Sequence, residues 1–460
     1  MKKQSILILL VLGLLIQPLS NLSGIAYAQE KKQTKHRTHK RAKPAKPKRK
    51  YSLEEAMKNP EQVKRLNLAR KKLTSVPKEV FLLKNLEILD LSYNQLTDLP
   101  QDLAGLKNLR EIKVINNKLK TIPQVIFSLE NLQKLDLSRN QISGIPNDIS
   151  KLQKLNSLSL KNNQISKLPD KFAELQSIKY LNLDANKFTT FPEVITKLKN
   201  LSRLSLGQNK IEKLPVSIGN LSKLQHLYLY ANKIDSLPST IGKLTNMLNL
   251  FLARNKIVEL PKEFFNLTKL RKLDLNGNLL KEVPQGLSKL IGLNHLNLSH
   301  NPISLLKLDL SEMKSLNTLK IGFYKYDSVD VDFSQVPGLR SLEFTNAGLK
   351  KIPASVYTLT NLRNLDVSRN EISEISPEIA NMKSLVNLKV SNNNLSALPA
   401  ELTQLKKLKV IYANYNKLTF LPDGFDRIPT LKLISLRKNN FSDEVKQEIK
   451  KRYPDLRFIF

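Results

Sequence analysis

The chain has 460 residues, a formal charge of +35 at pH 7 and no cysteine. It can therefore form no disulfide, thiol nucleophile or thiolate metal site, which also excludes cysteine-dependent ubiquitin ligases. A chain of this length can nevertheless bury a core large enough to fold without such cross-links.

Residues 1–28 are expected to be a secretory signal peptide. Two lysines follow the first residue, residues 6–16 are apolar apart from one glycine, and an Ala-Tyr-Ala cleavage sequence ends at residue 28. The alternative is a retained membrane anchor, but the apolar run is shorter than the roughly 20 residues that span a bilayer. We therefore expect a mature chain without a transmembrane segment, exported to the periplasm, the cell surface or the medium.

Residues 29–50 are expected to be a disordered basic arm. Residues 31–50 contain 11 Lys or Arg, two His and no acidic residue. Self-repulsion, Pro44 and Pro47 oppose a packed structure there. Two interpretations stay open: a solvated spacer, or a segment that binds an anionic glycan, cell-envelope polymer or nucleic acid.

Residues 51–62 are predicted to form an N-terminal helical cap. Ser52 and Glu55 have the spacing of a capping box, in which each side chain bonds the other residue's backbone N–H. A short helix is expected to run to about Lys58 and to cover the first repeat.

A unit of 23 residues, L-x-x-L-x-L-x-x-N-x-L-x-x-L-P-x-x-h-x-x-L-x-x with h apolar, repeats across residues 63–441. Its 17 copies keep one register and begin at Val63, Leu86, Leu109, Leu132, Leu155, Ile178, Leu201, Leu224, Met247, Leu270, Leu293, Leu316, Leu339, Leu362, Leu385, Leu408 and Leu431. The fourth and sixth positions share one face of a strand, and the third and fifth point the other way. One copy cannot bury its own leucines, so stacked copies must share a core.

Two further positions of the unit carry structural information. Asn at the ninth position can satisfy backbone groups that turn inwards after the strand. Pro at the fifteenth position suits an irregular or short-helical turn. The pattern resembles leucine-rich repeats over residues 63–453, and its L-P-x-x-h-x-x-L half resembles secreted bacterial repeat proteins of the spirochaete type. The resemblance implies an α/β solenoid, a curved horseshoe with parallel strands on its concave face and short helical or irregular convex turns.

Aromatic residues cluster on strand positions near the middle of the array, in a chain that is only 6% aromatic. The candidate binding residues are Tyr180, Arg203, His226, Tyr228, Tyr230, Phe251 and Arg254. Exposed aromatics beside Arg are typical of binding hot spots. Alternatively, neighbouring rings only stabilise each other across the strands. A second group, Tyr412 and Tyr415, is expected to pack beneath the C-terminal cap.

The array is irregular around residues 301–350. The substitutions there are Tyr324 and Ala347 for the ninth-position Asn, and Lys307 and Asp330 for the fifteenth-position Pro. They predict a local change of curvature or a looser convex turn. Either these copies have simply drifted, or the irregularity presents Phe323 and Tyr324 to a partner.

Residues 442–460 are predicted to form a C-terminal cap. Ser442 and two acidic residues open a helix, Pro454 ends it, and apolar residues then alternate as in a closing strand.

No catalytic, cofactor or metal site is expected. Outside the arm the only histidines are His226, His295 and His300, and none has a second ligand at a metal-site spacing. Nucleophile-elbow, phosphate-loop and zinc-protease motifs are absent from the sequence. We expect a monomeric, non-enzymatic module that binds a protein on its concave face, such as a host surface or matrix component. The alternative is an envelope-associated structural or adhesive protein that grips anionic polymers through residues 31–50. An enzyme is the third and least favoured hypothesis.

Overall fold

The computed structural model of the protein describes residues 52–460. The predictions of a signal peptide at 1–28 and a basic arm at 29–50 lie outside the described residues. Within them, α1 spans Leu53–Lys58 and α2 spans Asp443–Arg452. No helix among residues 52–460 is long and apolar enough to cross a membrane.

Almost every copy of the repeat contributes one short strand at its third to fifth positions. The strands are β1 Arg65–Asn67, β2 Ile88–Asp90, β3 Glu111–Lys113, β4 Lys134–Asp136, β5 Ser157–Ser159, β6 Tyr180–Asn182, β7 Arg203–Ser205, β8 His226–Tyr228, β9 Asn249–Phe251, β10 Lys272–Asp274, β11 His295–Asn297, β12 Leu305–Lys307, β13 Thr318–Gly322, β14 Ser328–Asp330, β15 Ser341–Thr345, β16 Asn364–Asp366, β17 Asn387–Lys389, β18 Val410–Tyr412, β19 Leu433–Ser435 and β20 Arg457–Ile459.

Eighteen of these strands form one continuous parallel sheet, in which each strand pairs with the same positions of the next copy. The first, fourth and sixth positions of all copies are buried and form a single core along the array. The predicted parallel-strand solenoid is therefore confirmed. We call the other side of the sheet, which carries the third and fifth positions, the concave face.

The convex side consists largely of single-turn 3₁₀-helices that follow the fifteenth-position proline. They span Pro60–Gln62, Lys78–Leu82, Gln101–Gly105, Gln124–Ser128, Asn147–Lys151, Asp170–Glu174, Glu193–Lys197, Val216–Asn220, Ser239–Lys243, Lys262–Asn266, Leu287–Lys289, Phe333–Gln335, Ala354–Thr358, Pro377–Asn381, Ala400–Gln404 and Phe425–Arg427. In eleven of the sixteen turns a proline stands directly before the turn. It is extended, as at Pro215 with φ −74° and ψ 152°, and its carbonyl accepts the first hydrogen bond of the turn. Short helical convex turns were predicted from this proline.

The ninth-position asparagines form a buried ladder, for which Asn209 is representative. Its Oδ1 accepts from the backbone N–H of Phe188 at 3.1 Å. Its Nδ2 donates to the carbonyls of Leu183 at 3.1 Å and Leu206 at 3.0 Å. One amide thus satisfies backbone groups of two neighbouring copies, which is the role expected from the sequence.

The irregular copies differ from the prediction of a looser convex turn. Lys307 and Asp330 lie in β12 and β14, which pair in parallel as a separate two-stranded sheet. Proline at these two positions would leave a strand without its N–H donor, so its absence permits this pairing. The convex side is therefore more regular here, not looser.

The same copies lack two asparagines of the ladder and differ from the others in their strands as well. β13 and β15 are five residues long, whereas the other strands have three. The buried Tyr326 hydroxyl accepts from the backbone N–H of Gly322 at 2.9 Å. Gly322 has φ +113°, and a Cβ there would lie 1.9 Å from the Thr345 carbonyl oxygen. Only glycine fits this approach of two backbones.

The eighth position of every copy has a left-handed backbone. Its φ lies between +48° at Asn346 and +69° at Phe323, and only one copy has glycine there, Gly277. The sequence analysis did not predict this turn, because the residues at this position share no chemical character. Each non-glycine residue in this conformation costs about 1 kcal/mol or more.

Both ends of the array are covered. At α1, Glu55 N–H donates to the Ser52 hydroxyl and the Glu55 carboxylate accepts from Ser52 N–H, which completes the capping box. At the other end, α2 begins after Ser442, and β20 extends the sheet in parallel with β19. The buried Tyr453 hydroxyl accepts from the Gly424 N–H at 3.2 Å, which ties this end to the last repeats.

Candidate functional site on the concave face

Tyr228 and Phe251 form a stacked pair at the centre of the concave face. Both lie at the fifth position, and β8 and β9 pair them directly. Their ring centroids are 5.0 Å apart and the ring planes differ by 4°. Both side chains are half-buried. Such a pair contributes about 0.5–1.5 kcal/mol beyond area burial and still presents ring edges to solvent.

A row of third-position side chains lies beside this pair. Tyr180, Arg203, His226 and Asn249 occupy successive strands in register. Tyr180 is 47% exposed, and the Arg203 guanidinium carbon lies 6.0 Å from the Tyr228 ring centroid. The geometry places a cation and a further aromatic within reach of the same ligand.

His226 is held in a fixed orientation by a residue that sequence reasoning missed. Its Nδ1 lies 2.7 Å from Asn249 Nδ2. Because an amide nitrogen can only donate, Nδ1 accepts and the proton of a neutral imidazole is on Nε2. Asn249 follows His226 by one repeat length at the same position, which is the signal that could have identified it.

Tyr230 anchors a buried network and lies deeper than predicted. Its hydroxyl donates to Asp184 Oδ2 at 3.1 Å, and its ring lies over Gly207, where a Cβ would meet the ring at 2.5 Å. Asp184 also accepts from the Ser205 hydroxyl at 2.5 Å and from the Gly207 N–H at 2.7 Å.

Burial raises the pKa of the Asp184 carboxyl, and the hydrogen bond from Ser205 is the largest opposing effect. Burial and the neighbouring Asp184 also raise the pKa of the Tyr230 phenol. Asp184, at the seventh position of its copy, is only 4% exposed. The sequence signal for this buried contact was Gly207, which stands one repeat before Tyr230 at the same position.

Arg254 lies on the rim of the concave face. It is exposed, has φ +57° at the eighth position, and its side chain lies beside Gly277.

Further along the rim, His300 and Phe323 stack with ring centroids 3.6 Å apart and planes 18° apart. The next residue, Tyr324, is 45% exposed. The sequence analysis named Phe323 and Tyr324 as an irregular pair but did not place His300 beside them.

The second aromatic group differs in part from its prediction. Tyr415 was expected beneath the C-terminal cap, but it is 55% exposed at the eighth position. Tyr412 is half-buried on the concave face and pairs with Lys389 and Ser435 across the strands. These rings are therefore accessible from the concave side, although no Arg or aromatic residue flanks Tyr412 at the fifth position.

Two histidines of the repeats, His295 and His300, have a lowered pKa. Burial, with Lys320 and Lys272 nearby, lowers the pKa of His295 to about 4. Burial and Arg254 also lower the pKa of His300. Among residues 52–460 there is no group of three or more His, Asp or Glu side chains arranged to hold a metal ion.

Family models describe most of the array. The leucine rich repeat model matches residues 61–119, 107–165, 130–188, 245–303 and 383–441. The model of a leucine-rich repeat region matches residues 174–253, and a single-repeat model matches residues 361–382. A search of curated proteins found no match.

Solved structures share the fold. A leucine-rich-repeat protein of Leptospira interrogans is 30% identical, with a TM-score of 0.60, over 90% of this chain and 100% of that one. The plant peptide hormone receptor RGFR1 in complex with RGF2 is 27% identical, with a TM-score of 0.62, over 79% of this chain and 61% of that one. The Drosophila Toll–Spatzle complex is 25% identical, with a TM-score of 0.64, over 82% of this chain and 54% of that one. The repeat pattern, the parallel sheet and these matches agree, and the chain belongs to the leucine-rich-repeat family.

Proposed function

We propose that the protein is an exported, non-enzymatic binding module that holds a protein partner on the concave face at Tyr228 and Phe251. The observation that carries this proposal is the stacked pair with its 5.0 Å centroid distance, in the middle of the long sheet. Leucine-rich-repeat folds commonly serve as protein-interaction scaffolds, and two of the similar structures, RGFR1 with RGF2 and Toll with Spatzle, are complexes. The chain spans only 61% and 54% of the chains matched in those two structures, so no ligand is transferred from them.

The site has the composition of a binding hot spot. The rings of Tyr228 and Phe251 offer rigid apolar area, because stacking already fixes their side chains before a partner arrives. Arg203 beside Tyr228 adds a cation that can pair with a carboxylate of the partner. Tyr180 supplies an exposed phenol at the edge of the same patch. We therefore assign partner contact to these four residues.

The other three predicted residues receive different roles in this proposal. Tyr230 fixes the floor of the site through Asp184, so its loss is expected to loosen the patch rather than remove a contact. His226 is oriented by Asn249 through Nδ1, so its role is to shape the third-position row beside the aromatic pair. Arg254 lies on the rim, where a charge changes the association rate more than the dissociation rate.

Export and action as a monomer are part of the proposal. Residues 1–28 have the charge pattern, apolar run and cleavage sequence of a signal peptide. The absence of cysteine is compatible with an exported protein because the continuous core stabilises the repeats without disulfides.

The test is a pair of matched double variants of the chain, measured for binding to intact host cells and to a panel of extracellular-matrix proteins. Tyr228→Ala/Phe251→Ala removes the central rings, and Tyr412→Ala/Tyr415→Ala removes two rings from the C-terminal part of the same face. We expect the central variant to lose at least about 30-fold in affinity and the control variant to lose little. Equal losses in both variants, or binding that neither variant changes, would contradict the assignment.

A second candidate function rests on the composition of residues 31–50, with 11 Lys or Arg and no acidic residue. In this case the arm grips an anionic polymer and the repeats act as a rigid spacer. Binding through the arm must fall steeply with ionic strength, whereas binding through the aromatic pair depends little on salt. Repeating the measurement at low and high salt, with and without residues 29–50, separates the two functions.

A further inference from the structure

A row of cations runs along one edge of the solenoid, outside the concave face. The twenty-second, twenty-third and second positions of the repeat flank the start of each strand, and we call this side the strand-start edge. Between residues 337 and 432 these positions hold seven basic residues and no acidic residue. They are Arg340, Arg363, Lys383, Lys406, Lys407, Lys409 and Lys432, all of them exposed.

The opposite edge of the same copies lacks this bias. Its tenth, twelfth and thirteenth positions carry Lys350, Lys351 and Lys417 together with Glu371 and Glu374. The cations of the strand-start edge are thus not a general property of a basic chain. In the described part of the protein, Arg363, Lys407 and Lys409 have no carboxylate within ion-pair distance. Lys406 differs, because its Nζ donates to the carbonyls of Thr403 and Arg427.

A shallow groove opens among these cations. It has a volume of about 330 Å³ and is lined by Arg363, Ser384, Val386, Lys407, Lys409 and Thr430. Val386 is half-buried and supplies apolar surface to the groove, while the other five lining residues carry two hydroxyls and three cations. Apolar surface among hydroxyls and cations suits a ligand that has an apolar face, hydroxyl groups and negative charges on one unit.

The groove continues into a linear arrangement. The second positions of five successive copies are Arg340, Arg363, Val386, Lys409 and Lys432. At a strand separation of roughly 4.8 Å this row is about 19 Å long. Its length exceeds that of a single small anion and matches a segment of a polymer.

We propose that the strand-start edge between Arg340 and Lys432 binds an acidic polysaccharide, with the groove at Val386 holding one sugar ring. A sugar ring packs its C–H face on Val386, its hydroxyls meet Ser384 and Thr430, and its anionic groups meet Arg363, Lys407 and Lys409. Nucleic acid fits less well, because none of these edge positions carries an aromatic side chain on which bases could stack. An anionic membrane also fits less well, because these edge positions between Arg340 and Lys432 carry no exposed large apolar residue to insert, and Val386 is half-buried.

The test compares two triple variants of the full chain that have the same net charge. Arg363→Gln/Lys407→Gln/Lys409→Gln changes the groove, and Lys350→Gln/Lys351→Gln/Lys417→Gln changes the opposite edge. Both retain residues 29–50, so any contribution of the arm is common to the two. The probe is labelled dextran sulfate, with neutral dextran, a single-stranded oligothymidine and phosphatidylglycerol vesicles as comparison ligands.

We expect the groove variant to bind dextran sulfate at least about tenfold more weakly than the opposite-edge variant. The slope of log affinity against log salt should also fall by about two, since three cation contacts are lost. A Val386→Ser variant should weaken binding by a few fold without changing the salt slope. Equal effects of the two triple variants overturn the proposal, and so does a larger loss for the oligonucleotide or the vesicles than for dextran sulfate.

Discussion

The copies around Asn209 and the copies around Tyr324 meet the same backbone requirement in different ways. In the first region one buried amide bonds backbone groups of two copies. In the second the equivalent N–H groups, those of Ile303 and Tyr326, donate to backbone carbonyls, and β13 and β15 pair over five residues. The close approach of two backbones at Gly322 belongs to this longer pairing. The comparison shows that the repeat tolerates loss of its ninth-position asparagine when two neighbouring copies lose it together.

The largest expected loss of stability comes from a side chain that blocks the close approach of two backbones in the irregular region. Gly322→Ala places a Cβ 1.9 Å from the Thr345 carbonyl oxygen at a φ of +113°. We expect a loss of about 3–5 kcal/mol in the free energy of unfolding, from overpacking and backbone strain together. Urea unfolding measures it. Gly144→Ala is the control, because its added Cβ would have no neighbour within 4 Å, and a similar loss there would contradict the explanation.

The ladder of the regular region is tested at Asn209. Asn209→Ala leaves the Phe188 N–H and the Leu183 carbonyl without this partner in a buried place, so we expect a loss of about 2–4 kcal/mol. The control is Asn200→Ala, which removes an exposed amide that bonds the Gln176 carbonyl, with a loss below about 1 kcal/mol. If the two variants unfold at the same urea concentration, the ladder contributes little.

The border between the two regions is sensitive to pH through His295. Lys272 from the regular side and Lys320 from the irregular side, with burial, lower its pKa to about 4. The unfolded chain then takes up a proton below the usual pKa of 6.5 while the folded chain does not, so stability falls as pH drops from about 6.5 to 4. The loss is roughly 2–3 kcal/mol over this window. Because other groups titrate as well, the measurement is the difference between the chain and His295→Gln, which should shrink with falling pH. A constant difference would count against the prediction.

A smaller change sharpens the comparison by isolating one hydrogen bond. Tyr326→Phe keeps the buried ring and removes the hydroxyl that accepts from Gly322 N–H. We expect a loss of about 1–2 kcal/mol, less than that of Asn209→Ala, because one backbone group is affected instead of several. Thermal unfolding of the two variants side by side decides the order, and the reverse order would contradict this explanation.

The smallest expected effect concerns the left-handed turn that both regions share. Ala231→Gly relieves a φ of +54° and should stabilise the fold by about 0.5–1 kcal/mol. Phe323→Gly relieves a φ of +69° but also removes the stack on His300, so no gain is expected. Ala173→Gly, in a 3₁₀-helix, serves as a control with the opposite sign. Stabilisation by all three glycines would show that the turn is not the cause.

Much of the fold follows from positions that recur along the array. The apolar residues at the first, fourth and sixth positions of every copy, and the amide at the ninth position of most copies, predict the core, the strand direction and the ladder, because each has one physical role. The eighth position escapes prediction, since Arg254, His300 and Phe323 share a backbone conformation but no chemistry. The pairing of β12 with β14 escapes as well, because it depends on the absence of proline in two copies at once.

For the candidate site, the sequence predicts only which side chains lie next to each other on adjacent strands. A fixed repeat length places Tyr228 beside Phe251 and Arg203 beside His226, as the structure has them. The repeat length does not predict how deeply each side chain is buried. Tyr230 turns towards Asp184 across two copies because Gly207 leaves room for its ring, and such a contact depends on three residues in different copies.

The constant length of the copies has a consequence for how such a surface can change during evolution. Because every copy occupies 23 residues, loss or duplication of one copy joins two others in the same register. Deletion of residues 201–223 would bring Tyr180 next to His226 and Asn182 next to Tyr228, and would leave the pair of Tyr228 and Phe251 intact. Recombination between copies can thus place new pairs of side chains next to each other on the concave face, while the core leucines keep the same kind of contacts.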